Sequence, residues 1–153
     1  MKNLIQNRRS AGWNLIEIIV AVAIGASIAA AGVAAYQGEA QKAAVAKAKD
    51  FISQVETKKQ QILTDIAAGD TSAQATPTFL ANQIKVQGKT LSGNAATDAQ
   101  TLGFSAISYG TFDQVNTTTG SVTTPGVSAW VQLTNNHYIY QNTDYGTTAP
   151  PTS

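Results

Sequence analysis

The feature that most constrains this chain is an apolar run over residues 15–36, in which Glu17 is the single charged residue. A helix from Trp13 to Tyr36 would be about 36 Å long, enough to cross a hydrocarbon layer of about 30 Å. Residues 1–12, which precede the run, contain three basic and no acidic residues. A basic flank followed by an apolar stretch is typical of membrane-targeted segments, with the basic end held in the cytoplasm.

Three kinds of N-terminal segment fit this pattern. The first is a secretory signal peptide cut near the small residues 29–31, although the run is longer than the usual 7–15 apolar residues. The second is a signal anchor that is never cut, and the third is a leader cut before the run. Glu17 favours the third, because an uncompensated carboxylate in a membrane core costs about 2.5–3.5 kcal/mol and the first two have no use for it. The alternatives are a protonated Glu17, or one that extends toward the interface.

The residues around Glu17 carry a family resemblance. The stretch 12–24, Gly-Trp-Asn-Leu-Ile-Glu-Ile-Ile-Val-Ala-Val-Ala-Ile, resembles the class III signal of type IV pilins and pseudopilins. In that family a prepilin peptidase cuts after a glycine and the fifth mature residue is a glutamate. Gly12, Trp13 and Glu17 match the glycine, the new N-terminus and the glutamate. The Ala-Tyr-Gln of residues 35–37 also resembles the end of the apolar segment in many pilins.

The resemblance covers about residues 8–40, with some departures. Trp13 stands where phenylalanine is usual, and Ala34 where a helix-kinking proline is common. Gly25 and Gly32 remain as possible weak points of the helix, since glycine costs about 0.8–1.0 kcal/mol relative to alanine there. Many pilins close a C-terminal loop with a disulfide, which this cysteine-free chain lacks.

The resemblance implies a structural subunit of a type IV pilus, with adhesion, motility, aggregation or DNA uptake as its role. Trp13 is then the N-methylated first residue, and Glu17 of an incoming subunit neutralises the terminal amine of a neighbour. Opposite charges in an apolar environment attract strongly while each is costly alone, so the pair sets the register between subunits.

The implied partners are other copies of the chain, the prepilin peptidase, the inner-membrane assembly machinery and, before assembly, the inner membrane itself. The final location is an extracellular filament on the bacterial surface. Two alternatives remain open. One is a pseudopilin of a type II secretion system, and the other is a signal-anchored or secreted binding domain that never polymerises.

Composition points away from several other classes of protein. The chain has no cysteine and one histidine, His137, which we expect at the surface end of a hairpin. Ser, His and Asp occur without a nucleophile-elbow spacing or a glycine-rich phosphate loop, so we expect no enzyme, cofactor or metal. Three acidic residues, Asp98, Asp113 and Asp144, lack the spacing of a calcium loop. The net charge of +1 gives no basic footprint for a specific nucleic-acid site.

Beyond residue 37 the pattern changes to a charged amphipathic helix over residues 38–68. Apolar residues recur at spacings of three, four or seven, which predicts one buried face. The stripe comprises Ala44, Ala48, Ile52, Val55, Ile62 and Ile66, with Phe51 and Leu63 beside it. Gly69 is expected to end the helix.

The C-terminal part is predicted to hold a small antiparallel sheet. Residues 70–102 lack a clear pattern: 79–86 fit a short helix or strand, and 87–100 read as loop. Residues 103–112 and 127–133 are predicted strands, separated by a loop over 117–125.

A two-residue turn at Asn135-Asn136 would place Leu133 opposite Tyr138 and Val131 opposite Tyr140. Residues 143–153 read as a flexible tail. Trp130 and the tyrosines fit two roles, an adhesive surface or a contact between subunits, and we favour the second.

The sequence therefore predicts an α+β fold, with a long N-terminal helix packed on a small antiparallel sheet and a transmembrane first half. It divides into a leader (1–12), a hydrophobic helix of the membrane and filament core (13–37), an amphipathic helix half (38–68) and a globular region (69–153).

Overall fold

A computed structural model describes residues 15–116, 121–141 and 143–150, without the side chains at 15, 17, 28, 30, 31 and 34. The chain forms two compact units, Met1–Ala40 and Gln41–Ser153, which are treated in turn. Helix α1, Leu15–Ala67, contributes to both. The predicted α+β class, with one long helix and small antiparallel sheets, is confirmed.

The C-terminal end of α1 follows from one glycine. Gly69 has φ +90°, and its N–H donates to the Ile66 carbonyl at 3.0 Å. The N–H of Asp70 donates to the Asp65 carbonyl at 3.0 Å. This pair of bonds satisfies two of the last helical carbonyls. It requires residue 69 to take a left-handed conformation, which glycine adopts without strain. The predicted helix end at Gly69 is therefore confirmed.

In the first unit α1 presents mostly exposed apolar side chains. The sequence predicts that residues 13–37 form a transmembrane helix. Among the residues that the structure describes, we find no helix that combines the length and the apolar character required to cross a membrane.

In the second unit the predicted stripe of α1 forms one wall of the core. Ala48, Phe51, Ile52, Val55 and Ile62 are at most 1% exposed. Ala44 and Ile66 pack partly buried against the same cluster. Complete burial of one such side chain contributes about 1.5–3 kcal/mol, so this face of the helix anchors the unit.

The segment after α1 is more regular than its sequence predicts. It contains α2 (Pro77–Asn82), β1 (Lys85–Val86), β2 (Lys89–Thr90) and α3 (Ala95–Leu102). The Thr76 side chain caps α2, whose first residue is a proline, and a turn with positive φ at Gln87 and Gly88 joins β1 to β2. The predicted loop over 87–100 is therefore wrong at β2 and again from residue 95, where α3 begins.

Helix α3 forms because both of its ends are capped. The Asn94 side chain accepts from the N–H groups of Ala96 and Thr97, both at 3.1 Å. Gly103 takes a left-handed φ of +72° at the other end. Lys47 and Lys89 donate to the carbonyls of Leu102 and Thr101, at 2.6 and 2.7 Å. These cations sit where the last helical carbonyls concentrate partial negative charge.

A four-stranded antiparallel sheet has the order β3-β6-β7-β8, where β3 is Ala106–Ser108, β6 Trp130–Gln132, β7 Tyr138–Tyr140 and β8 Thr143–Asp144. Ile107 pairs with Val131, which pairs with Ile139. All three are at most 5% exposed and belong to the core cluster with the stripe of α1. The predicted strands 103–112 and 127–133 exist, but they are shorter than expected.

The predicted register of the hairpin is wrong by one residue. Val131 lies opposite Ile139, because the loop has three residues instead of two. Leu133 N–H donates to the His137 carbonyl at 2.8 Å, and Asn136 alone has positive φ, +63°. Since side chains alternate along a strand, this shift turns Ile139 into the core and Tyr138 and Tyr140 to the outer face.

Two further expectations for this region are corrected. Strand β4 (Gln114–Val115) pairs with β5 (Val122–Thr124), so part of the predicted loop 117–125 is a strand; residues 117–120 lie outside the description. The predicted flexible tail is ordered in part. It contains β8, which extends the sheet by backbone bonds to β7, and Pro150 is buried. Residues 151–153 are not described.

Candidate assembly surface

The first unit exposes an unusual amount of apolar surface on α1. Eight large apolar or aromatic side chains are at least 46% exposed: Ile16, Ile18, Ile19, Val20, Val22, Ile24, Val33 and Tyr36. Successive helical residues are rotated by about 100°, so these side chains lie on all sides of the helix. A helix that is apolar all round is suited to complete burial among neighbours. We call these eight residues the apolar surface.

Of the predicted site residues, Glu17, Gly25 and Gly32 lie in the part of α1 that carries this surface. Gly12 and Trp13 fall outside the described residues. Glu17 lies in α1, and its side chain is outside the description. Gly25 and Gly32 lie inside a continuous helix, and a Cβ added at either would meet no atom within 4 Å. Their role as weak points stays a prediction.

The second unit contains an ion pair that the sequence analysis did not identify, in which Lys59 is buried and Glu56 is partly exposed. Lys59 is 3% exposed, and its Nζ lies 3.3 Å from Glu56 Oε1. Lys59 also donates to the Val127 carbonyl at 3.0 Å, while Ala129 N–H donates to Glu56 Oε1 at 2.6 Å. The pair thus fixes residues 127–129 to α1. The spacing of three between Glu56 and Lys59 indicates an ion pair on one side of the helix, but the same spacing is common on solvated helix faces.

Asp98 forms the second buried polar cluster and is 1% exposed. Its Oδ1 accepts from the N–H and hydroxyl of Ser92, at 2.8 and 3.0 Å. Its Oδ2 accepts from Gly93 N–H at 2.8 Å and from the Tyr109 hydroxyl at 2.7 Å. Burial, followed by the bond and charge of Asp98, raises the pKa of Tyr109 well above its usual range. These four bonds give the carboxylate a structural role.

The other two candidate acidic residues are also engaged in local structure. Asp113 accepts from Gly126 N–H at 2.6 Å. Asp144 accepts from Gly146 N–H at 2.8 Å and lies 3.2 Å from His137 Nδ1. The Gly146 bond, with the His137 bond second, lowers the pKa of Asp144. Within the described residues no three His, Cys, Asp or Glu side chains are grouped to hold a metal.

We expect Asp98→Asn to lower the free energy of unfolding of the second unit by about 2–4 kcal/mol, because an amide retains only one acceptor oxygen and its NH₂ group would face donors. Urea unfolding followed by Trp130 fluorescence in a Trp13→Phe background measures this. Asp50→Asn is the control, since Asp50 is exposed and bonds only to Gln54. Equal stability of the two variants would show that the buried bonds contribute little.

Stability should also fall at alkaline pH through Tyr109. Its pKa is higher in the folded chain than in the unfolded one, so its contribution is complete below about pH 10 and decreases above it, by at most about 1.4 kcal/mol per pH unit. Urea unfolding of the native chain and of Tyr109→Phe between about pH 8 and about pH 12, a range centred on the usual tyrosine pKa of about 10, measures the difference. A difference that stays constant with pH would contradict this assignment.

No protein-family model, curated protein or solved structure matches this chain significantly. The function is therefore inferred from the exposed apolar residues of α1 and from the N-terminal sequence.

Proposed function

We propose that the chain is a structural subunit of a type IV pilus-like filament. It is cut after Gly12 by a prepilin peptidase and polymerises through the apolar surface of α1. The observation that carries this proposal is the exposure, on all sides of one helix, of eight large apolar or aromatic side chains. Surface of this kind is unfavourable in water, at roughly 25 cal/mol for each Å² of apolar area. Packing of many copies around a common axis would bury it completely.

Small residues support close packing of such helices. Between Val20 and Val33 the chain has Ala or Gly at 21, 23, 25, 26, 29, 30, 31 and 32. Small side chains let helix backbones approach one another closely, which strengthens van der Waals contact where no water is present to drive association. The same composition suits the inner membrane as the location of the subunit before assembly, with the basic residues 1–12 on the cytoplasmic side.

In this proposal Glu17 selects the register of an incoming subunit. Removal of residues 1–12 frees the amine of Trp13, which methylation would leave cationic. Glu17 of one subunit then pairs with this amine on a neighbour, since either charge alone is costly in an apolar core. Without Lys2, Arg8 and Arg9 the ten basic residues become seven, against nine acidic ones, so the mature subunit carries a net charge of −2.

Single-cysteine labelling tests the burial of the apolar surface, because the native chain has no cysteine. Val22→Cys replaces a side chain that is 65% exposed in the isolated subunit. We expect maleimide to label it in detergent-solubilised subunit and not in filaments sheared from cells. Thr97→Cys, on the exposed side of α3, is the control that should react in both samples. Equal labelling of Val22→Cys in both samples, or sheared material without this chain, would refute the proposal.

A further inference from the structure

The outer face of the four-stranded sheet carries a cluster of aromatic side chains. The pairing register places on this face, from β3 to the end of β8, the residues Ala106, Ser108, Trp130, Gln132, Tyr138, Tyr140, Thr143 and Tyr145. The Trp130 and Tyr138 rings meet edge to face, with centroids 5.6 Å apart. The Tyr140 and Tyr145 rings do the same at 5.7 Å. We call these four rings the aromatic face.

The polar groups of the aromatic face point to a ligand that forms hydrogen bonds. No bond from the Trp130 indole N–H or from the hydroxyls of Tyr138, Tyr140 and Tyr145 to another described residue is found, and no buried side-chain polar atom of the described residues lacks a partner. These four groups are therefore open to solvent. Tyr145 is 43% exposed, and Thr143 beside it is exposed as well. Trp130, Tyr138 and Tyr140 are half-buried, so each of these rings offers part of its apolar surface together with an available hydrogen-bonding group.

The absence of charged side chains from the described part of the aromatic face indicates the chemistry of its ligand. None of its eight described residues is charged, and none is Leu, Ile, Val or Met. The aliphatic residues of the same strands, Ile107, Val131 and Ile139, all point to the core. Membrane surfaces attract basic residues, and this face has none. Because the face is uncharged and combines aromatic rings with hydroxyl groups, it suits a neutral ligand whose surface alternates C–H and hydroxyl groups.

We propose that the aromatic face binds a neutral polysaccharide. The polarised C–H groups on one side of a pyranose ring would stack on the negatively polarised ring faces, while its hydroxyls bond to the tyrosine hydroxyls, the Trp130 N–H and Gln132. Adjacent strands lie about 4.8 Å apart and alternate residues of a strand about 6.7 Å apart. The rings on β6 and β7, with Tyr145 directly after β8, therefore cover an area that matches a short stretch of sugar units.

This binding role replaces the contact between subunits that the sequence analysis favoured for these aromatic residues. It lies in the second unit and does not depend on the proposed function. A chain that never polymerises would bind the same ligand.

A fluorescence titration of the full-length chain in detergent tests the proposal. In a Trp13→Phe background Trp130 is the single tryptophan, since the chain has two. The probes are hexasaccharides of β-1,4-linked glucose and of β-1,4-linked N-acetylglucosamine, with a heparin hexasaccharide as the charged comparison. We expect a saturable change with at least one neutral probe that is insensitive to salt.

Tyr145→Ala should weaken this binding by about tenfold, and Tyr140→Phe, which removes one hydroxyl, by a smaller factor. Tyr36→Ala is the matched control, because Tyr36 is a 76% exposed tyrosine in the first unit. It should bind like the parent chain, and near-ultraviolet circular dichroism should show that all variants fold. Three results would overturn the proposal: no saturable binding of either neutral probe at millimolar concentration, equal effects of Tyr36→Ala and Tyr145→Ala, or loss of self-association in Tyr145→Ala without any sugar binding. The last would assign the face to a second copy of the chain.

Discussion

Cells that carry Glu17→Ala in place of the native subunit should process the chain normally and hold it in the membrane, but should make little or no filament. In the proposed filament, the substitution would leave the terminal ammonium of Trp13 without its partner in an apolar core. Removing one member of a buried ion pair costs about 3–5 kcal/mol, which is about 100-fold or more in the equilibrium constant for adding one subunit. Filament in the sheared fraction, quantified by immunoblotting and electron microscopy, measures the effect.

Two further variants separate charge from packing. Glu17→Gln keeps the size of the side chain and should fail like Glu17→Ala, whereas Glu17→Asp should retain part of the assembly. Asp50→Ala, which removes an exposed acid from the same helix, should assemble normally. Abundant normal filaments from Glu17→Ala would exclude the pairing mechanism.

The largest loss of stability is expected for Gly110→Ala. Gly110 has φ +67°, which strains any residue with a side chain by about 1–3 kcal/mol. An added Cβ would also collide with the Val127 carbonyl oxygen, and would lie 2.8 Å from the Ser128 carbonyl carbon and 2.9 Å from Lys59 Nζ. The backbone would have to separate where Lys59 bonds to the Val127 carbonyl, so we expect a total of about 3–5 kcal/mol.

Gly103→Ala provides the matched control for this prediction. Gly103 has a similar φ of +72°, but an added Cβ there would meet nothing within 4 Å. The variant should therefore lose only the cost of backbone strain, about 1–2 kcal/mol. Urea unfolding of both full-length variants in detergent, followed by the near-ultraviolet signal of the second unit, gives the comparison. Equal losses would show that residues 110 and 127–128 can separate without cost.

The sequence predicted the elements that simple periodicity or a single residue determines. The stripe from Ala44 to Ile66 repeats at helical spacing over about six turns of helix, so its buried face was visible before the structure. Gly69 marked the helix end because few other residues adopt a left-handed conformation there.

The sequence did not predict the hairpin register, which depends on one torsion angle, or helix α3, which depends on its caps. Asn135 and Asn136 both tolerate positive φ, but only Asn136 adopts it, and the resulting three-residue loop moves the register by one. Helix α3 has little apolar periodicity. Its sequence signals are the two caps, since Asn94 favours the start of a helix and Gly103 its end.

The buried polar clusters could not be predicted from spacing. Asp98 takes its donors from Ser92, Gly93 and Tyr109, which come together only when α3 and the segment after β3 have folded. Lys59 likewise reaches a carbonyl 68 positions away in the chain. The outward orientation of Tyr138 and Tyr140 was missed for a related reason, since the incorrect register turned both to the core.

The most direct test of the central claim is the N-terminal residue of the chain in filaments sheared from cells, determined by Edman degradation and by the mass of the N-terminal peptide. We expect Trp13 as the first residue, with the mass of one added methyl group and with residues 15–36 intact. A chain that begins at Met1, or one that begins near Gly32 without the apolar run, would contradict the account.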